Sequence, residues 1–421
     1  MADLSVDVNG LRLPNPFVIG SGPPGTNASV IRKAFDEGWG AVIAKTISLD
    51  ASKVTNVAPR YARMRATDSR EVIGWQNIEL ISDRGFDVWL DEFKEVKDAH
   101  PEGVLIASIM EEYRKDAWQE IVERCQDAGV DAFELNFSCP HGLPERRMGA
   151  AMGQDPDLLE EVCGWVNEVA TIPVWAKMTP NITHIEAPAD AALRAGCEGV
   201  AAINTILSVM GVDLDTLRPE PSVEGWSVPG GYSCKAVRPI ALRMVMELAT
   251  MMFGGNSGQR IPAGLESVPT PNPKKPKDIK AGDIKTIPIS EFERPGRYAD
   301  RSISAIGGVE TGRDAAQFIL LGAQTVQVCT GVMIHGYGLA KTLCGELGEF
   351  MDRHGFESIE DFRGHSLNFF TTHAELVRRQ SEIKAAEKAA RDGMVTQDTN
   401  WDGDRFVEQS NKLVANDNDE D

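Results

Sequence analysis

Positive charge is scarce in this chain. Lys and Arg total 43 against 63 Asp and Glu, a formal net charge of −20. That balance argues against non-specific binding to nucleic acid or to an anionic membrane, which needs a basic face. Long apolar runs are also missing; the apolar stretches are short and interrupted, so no membrane span is expected. The N-terminus, MADLSVDVNG, has neither a basic n-region nor a long h-region and does not read as a secretory signal. Cysteine is sparse and dispersed, with seven residues at 125, 139, 163, 197, 234, 329 and 344. An odd, scattered set speaks against a disulfide framework and fits reduced thiols in a cytoplasmic protein. None has the C-x-x-C spacing of zinc or iron–sulfur modules, so no metal site is expected.

What is present points to a large α/β domain. The chain has 421 residues, 42% hydrophobic content and 39 glycines, enough for a sizeable core and many tight strand–helix turns. SVDVNGLRLP reads as a hairpin turning at Asn9–Gly10. Eight short apolar runs follow, at 16–20, 41–45, 104–110, 132–136, 173–177, 199–204, 302–307 and 325–329. They are too short for stable helices and too uniformly apolar for half-exposed strands, which is how buried parallel strands read. Helical patterns lie between them. ASVIRKAFDEG, DAWQEIVERCQDAG and ADAALRAG end in Gly38, Gly129 and Gly196. Asp155–Pro156 opens another helix, and Thr311 and Asp314 stand at capping-box separation. Eight strand–helix units predict a (β/α)8 TIM barrel. The rival, a doubly wound open sheet, lacks a Rossmann loop after the first strand, where GSGPPGTN stands instead.

In a barrel, chemistry sits where strands end. Those positions are Gly20–Ser21, Lys45–Thr46, Asn136, Lys177, Asn204–Thr205, Gly307–Gly308 and Cys329–Thr330. A lysine closing an apolar strand is costly unless it meets an anion or an electron-rich group, or forms a structural ion pair. The asparagines and Thr205 suit a flat polar ring, since each amide both donates and accepts. Gly307–Gly308 after the seventh strand and Thr330–Gly331 after the eighth suit a phosphate held by backbone N–H groups; elsewhere a lone Gly–Gly is a routine turn. The connections 46–103, 137–155 and 205–300 are longer than packing demands. The last holds a helix at GGYSCKAVRPIALRMVMELA and then a proline- and lysine-rich stretch, the one local basic patch. That stretch reads as a solvated loop or a surface for docking a partner. We expect one barrel domain over 1–366, with an excursion at about 252–300 between strands six and seven. A charged helical and acidic tail over 367–421 follows, its end disordered.

The fourth run, FELNFSCPHG, ends at Asn136 and delivers Cys139 to the barrel mouth, followed by the donor-less Pro140, His141 and Gly142. Cys139 reads either as a thiol that transfers a proton to carbon beside a redox cofactor or as a buried structural thiol. The motifs NFSCPHG, MGQDP, AKMTPNIT, INT, GGYSCKAVRPIAL and IGGVETGRDAAQFILLGAQTVQVCT, with AKTISLD, VTNVAPR and QNIELIS, resemble the FMN-binding barrel of the dihydropyrimidine dehydrogenase family. The resemblance spans about 1–250 and 300–370, and is nearest to the catalytic subunit of the bacterial NAD-dependent type. Dihydroorotate dehydrogenases share the barrel but fit these motifs less closely.

The resemblance implies FMN surrounded by Gly20, Ser21, Lys45, Asn136, Lys177 and Thr205, with its phosphate at Gly307–Gly308 and Cys329–Thr330. It implies a pyrimidine ring met by Asn77, Glu79, Asn136, Asn204 and Thr205. Cys139 would be the general acid in reduction of uracil or thymine to the 5,6-dihydropyrimidine, with His141 a lesser candidate. Relatives of this type continue into a module with cluster-ligating cysteines, whereas here only Cys344 follows the last strand. Electrons from NAD(P)H are therefore expected to arrive indirectly, through a separate electron-transfer subunit in a homo- or hetero-oligomer. The alternatives are a dihydroorotate dehydrogenase-like or other ene-type flavoenzyme acting on a related cyclic substrate, and a silent scaffold without flavin.

Overall fold

The computed structural model describes residues 2–51, 54, 56–139, 148–254, 286–292 and 296–391. The expected loop residues Pro140, His141 and Gly142, most of the 252–300 excursion and the acidic end of the tail lie outside them. The chain divides into two compact units, Met1–Phe370 and Thr371–Asp421.

The first unit is a closed parallel barrel of eight strands. In chain order these are β1 (Phe17–Ile19), β2 (Ala41–Ile43), β3 (Val104–Ile109), β4 (Ala132–Asn136), β5 (Val174–Lys177), β6 (Gly199–Ala202), β7 (Ser302–Ile306) and β8 (Thr325–Val328). Each falls inside one of the eight predicted runs. Nearly every strand residue is buried, because the inner face packs the barrel and the outer face meets the helices. β8 pairs with β1, Val326 opposite Phe17, which closes the ring and leaves no edge.

Local chemistry sets the boundaries. Asn9 (φ +49°) and Gly10 (φ +84°) both take positive φ, as a two-residue hairpin turn with Val8 opposite Leu11 requires. The Asn9 side chain then plugs the lower end of the barrel. It accepts from Trp175 Nε1 (2.8 Å) and Ser302 Oγ (2.5 Å), and donates to the Glu198 carbonyl (3.1 Å). Asp155 caps the helix Pro156–Asn167 by accepting from the Asp157 and Leu158 amides. At Thr311 both halves of the capping box form, so aspartate at N3 suffices.

A second sheet was not anticipated. Its four antiparallel strands run in the order Ile206–Ser208, Gly230–Ser233, Val72–Asn77 and Tyr61–Arg65. They come from the connections after β2 and β6. Gly74 admits the Tyr232 ring, since a Cβ there would lie 2.0 Å from the Tyr232 hydroxyl. This sheet forms one wall of the cleft at the barrel mouth.

The second unit contributes the helix His373–Arg391, laced by Glu375 to Arg378 and Arg379 at i,i+3 and i,i+4 spacing. Among the described residues, no helix is long and apolar enough to cross a membrane.

Candidate active site

The strand ends and the second sheet enclose a cleft of about 1180 Å³, open mouth included. Ser21, Lys45, Asn77, Glu79, Asn136, Cys139, Lys177, Asn204, Thr205, Gly307, Gly308, Cys329 and Thr330 all line it. Gly20 does not. It sits against the side chains beneath the cleft, where a Cβ would meet Ile306 Cδ1 at 2.9 Å.

The floor is an ion pair inside the barrel. Lys177, at the end of β5, points its ammonium at Glu134 of β4, with Nζ 3.2 and 3.3 Å from the two carboxylate oxygens. It also donates to Gln327 Oε1 of β8 at 2.6 Å. Gln327 Nε2 donates in turn to Glu134 Oε2 (2.8 Å) and to Ser304 Oγ (2.9 Å), closing a triangle. Glu134 is 1% exposed and Gln327 fully buried, so neither charge nor amide can lean on bulk water. Such a pair persists only because each partner satisfies the other. Glu134 and Gln327 were not among the predicted site residues.

One wall centres on Glu79. Lys45 Nζ lies 2.6 Å from its Oε2, Tyr61 Oη donates to the same oxygen at 2.9 Å, and Arg60 Nη1 reaches Oε1 at 3.1 Å. Burial and then the Glu79 charge hold the Tyr61 phenol far above its ordinary range, so it remains a donor. Each lysine lining the cleft thus already faces a carboxylate. Asn77, on the adjacent strand, donates to the Gly231 carbonyl at 3.2 Å.

Across the rim runs a chain of short polar contacts. Ser21 Oγ lies 3.2 Å from Thr46 Oγ1, which accepts from Asn136 Nδ2 at 3.0 Å and pairs with Ser108 Oγ at 2.8 Å. Asn136 Oδ1 accepts from the Ser138 hydroxyl (3.1 Å), and Asn204 Nδ2 donates to Ser138 Oγ (2.6 Å). Asn204 Oδ1 takes the Thr205 amide at 2.7 Å. The two asparagines are therefore fixed in orientation before any ligand arrives.

At the opposite end the backbone comes close. A Cβ at Gly22 would lie 2.5 Å from Cys329 Sγ, one at Gly308 (φ +69°) 2.5 Å from the Cys234 carbonyl, and one at Gly331 2.7 Å from the Val309 carbonyl. Thr330 Oγ1 contacts Ser233 Oγ at 2.9 Å. The Thr330 and Gly331 amides open the helix Thr330–His335 with no acceptor within it, whereas the Val332 amide donates to the Cys329 carbonyl at 3.0 Å. Glu310 also lines this end, its carboxylate paired with Lys235 at 3.0 Å and lying 3.2 Å from His335 Nε2. Burial pushes the Cys329 thiol up to about 11, although Lys45 and Lys177 pull the other way, so it is a neutral lining group.

Cys139 sits on the lip, buried in a small apolar cluster with Ile81, Met110 and Met148 that is separate from the barrel core. Its carbonyl accepts from the Ala150 amide at 3.1 Å. Gly149 (φ +58°) and Gly153 allow this approach, as a Cβ at either would strike the Cys139 or the Phe137 carbonyl.

Sequence comparison places this architecture in a known class. The family described as dihydroorotate dehydrogenase matches residues 3–256. The crystal structure of DHODH from Eimeria tenella in complex with ferulenol superposes with a TM-score of 0.63 at 21% identity, over 86% of this chain and 88% of that one, and shows the shared fold. The chain is 59% identical over 418 residues to the chloroplastic dihydropyrimidine dehydrogenase (NADP(+)) of Arabidopsis thaliana, covering 98% of this chain and 88% of that protein. It is 36% identical over 366 residues to subunit PreA of the NAD-dependent dihydropyrimidine dehydrogenase of Escherichia coli K12, covering 87% and 77%. The chain belongs to the dihydropyrimidine dehydrogenases, within the wider dihydroorotate dehydrogenase family.

Proposed function

We infer that this protein is a flavin-dependent oxidoreductase acting on a CH–CH bond, which reversibly reduces the 5,6 double bond of uracil or thymine. The observation that carries this reading is one cleft lined by Cys139, by the Asn77–Glu79 wall and by the Asn136–Asn204–Thr205 chain. FMN fits the residues present. The glycines at 22, 308 and 331 bring three loop backbones together at this end, since a Cβ would strike Cys329, Cys234 or Val309, and the donors beside them are the Ser233 and Thr330 hydroxyls, Arg238, which donates to the Gly308 carbonyl at 3.3 Å, and Lys235, which pairs with Glu310. Ser21, Lys45, Asn136, Lys177 and Thr205 would flank its ring and ribityl chain, with Gly20 packed beneath. Gly307–Gly308 and Cys329–Thr330 would take its phosphate. When bound, FMN supplies the hydride delivered to C6 of the pyrimidine.

The chain's own residues do the rest. Asn77, Glu79, Asn136, Asn204 and Thr205 bind the edges of the ring; amides that both donate and accept match its alternating N–H and C=O groups. Cys139 Sγ gives its proton to C5, and the thiolate is reprotonated from solvent. Hydride plus proton account for the two hydrogens of the 5,6-dihydropyrimidine. The charge of the wall favours a neutral ring over a carboxylated one such as orotate, because Lys45 already faces Glu79 and Lys177 already faces Glu134. Uracil and thymine should therefore be reduced anaerobically and orotate poorly, as chromatography of the products checks. Faster turnover of orotate than of uracil would favour the dihydroorotate-type alternative.

Two further results are expected. Acid should release one FMN per chain with no stoichiometric iron; FAD or iron would contradict the cofactor assignment. Alone, the chain should oxidise NADH or NADPH slowly or not at all, because electrons come through a separate subunit, as in the bacterial NAD-dependent type. Rapid saturable NAD(P)H oxidation by the isolated chain would remove the need for a partner. An oligomer is supported by the exposed Leu214 (84%) and Leu217 (76%), between the paired strands Gly211–Asp213 and Arg218–Glu220, and by the exposed Trp226 (78%) just beyond them. The relatives' names divide between NAD and NADP(+), so consumption of each nucleotide in the presence of the partner identifies the donor.

A further inference from the structure

We propose that Glu134 is a positioning residue that, with Gln327, fixes and tempers the Lys177 ammonium and thereby sets the reduction potential of the cofactor. The inference rests on the FMN reading above.

Three features carry it. The first is geometry: Lys177 lines the cleft floor, yet its ammonium is held from the side by Glu134 at 3.2 and 3.3 Å and by Gln327 at 2.6 Å. An ammonium has three N–H donors; one shared between the two Glu134 oxygens and one on Gln327 leave the third for a ligand above it. The second is closure. Gln327 binds both members of the pair through opposite ends of its amide and is itself tied to Ser304, which accepts from Thr325 Oγ1 at 2.8 Å. Four barrel strands therefore dictate where the charge sits. The third is economy. A carboxylate within a barrel strand is expensive to bury, and a packing role would be served better by an apolar side chain. Its retention beneath a cleft makes sense if the charge of Lys177 must be present but moderated. Two-electron reduction places negative charge on a flavin ring. A bare lysine would stabilise that charge strongly, and a paired one stabilises it less.

The test is the midpoint potential of the FMN-loaded protein, measured by equilibration with a reference dye. FMN affinity is measured in parallel by fluorescence. Glu134→Gln keeps the shape and removes the counter-charge. It should raise the potential by about 30 mV or more, the equivalent of tenfold in a two-electron equilibrium. Lys177→Met should lower it by a similar amount. Placed in the Lys177→Met background, Glu134→Gln should move the potential far less, because there is no longer an ammonium to hold. A potential unmoved by Glu134→Gln, or lowered as in Lys177→Met, would overturn the proposal. So would equal shifts in both backgrounds, which mean that Glu134 acts on the cofactor directly. Should Glu134→Gln fail to retain FMN, Gln327→Glu decides: a second carboxylate on Lys177 should lower the potential, and no change counts against the proposal. Wild-type protein that binds no FMN would overturn the functional reading, and this inference with it.

Discussion

Cys139→Ala is expected to slow reduction of uracil by the pre-reduced protein by a factor of roughly 10²–10⁴, the range a positioned general acid contributes, while FMN and pyrimidine still bind. The split follows from where Cys139 lies. Its side chain lines the cleft from a small cluster that, among the described residues, holds Ile81, Met110 and Met148 with Val54 at its edge, apart from the main core. Alanine there leaves the loop anchors in place: the Ala150 amide still meets the residue-139 carbonyl, and Gly153 still admits Phe137. The hydrogen-bond chain through Asn136, Ser138 and Asn204 is likewise untouched. Cys139→Ser should be intermediate or equally slow, because a hydroxyl is far less acidic than a thiol. Anaerobic stopped-flow absorbance at saturating uracil reads the effect. Equal rates for wild type and Cys139→Ala would make Cys139 a packing residue.

The second large effect concerns stability. Lys177→Met leaves the Glu134 carboxylate buried beside only Gln327, and breaking a buried pair from one side costs about 3–5 kcal/mol. The double change Glu134→Leu with Lys177→Met removes both charges, and should recover much of that loss. Urea unfolding followed by tryptophan fluorescence measures it: the single variant's midpoint should fall sharply and the double variant's lie nearer the wild type. A double variant as unstable as the single one would mean that packing, rather than charge, holds the floor together.

The barrel was legible because its strands are buried on both faces. A strand buried twice reads as a solid apolar run, and all eight runs kept their order and position in the closed sheet. The hairpin at Asn9–Gly10 and the caps at Asp155 and Thr311 were legible for a different reason. The hairpin rests on two adjacent residues that accept positive φ, and each cap on one side chain bonding nearby backbone amides. The wall sheet was not legible. Its strands, YARMR, VIGWQN, GGYS and ILS, are short, mixed in polarity or rich in glycine, and Asn77 meets Gly231 across 154 residues of chain. Nothing in a local window signals such a pairing.

The lysines illustrate a partial reading. A lysine at the end of an apolar strand signalled a charge in need of a partner, and two readings stood: a ligand or an ion pair. Both lysines line the cleft and both are paired, Lys45 with Glu79 and Lys177 with Glu134. The signal for Glu134 was in the sequence, since a carboxylate inside AFELN and an amide inside TVQVC break otherwise apolar runs. Side chains alternate across a strand, so these positions share the barrel interior with Lys177. Tyr61 and Trp75 reached the cleft only through the wall sheet, so they were hidden with it.

In the proposed reaction a hydride from bound FMN and a proton from Cys139 add to the 5,6 bond of a pyrimidine. Its most direct test is a single anaerobic turnover: FMN-loaded protein is reduced with one equivalent of dithionite, uracil is added, and visible absorbance and products are followed together. Return of the oxidised flavin spectrum with one 5,6-dihydrouracil formed per flavin is expected. A spectrum that stays bleached with uracil and thymine, yet recovers on addition of orotate, would contradict it.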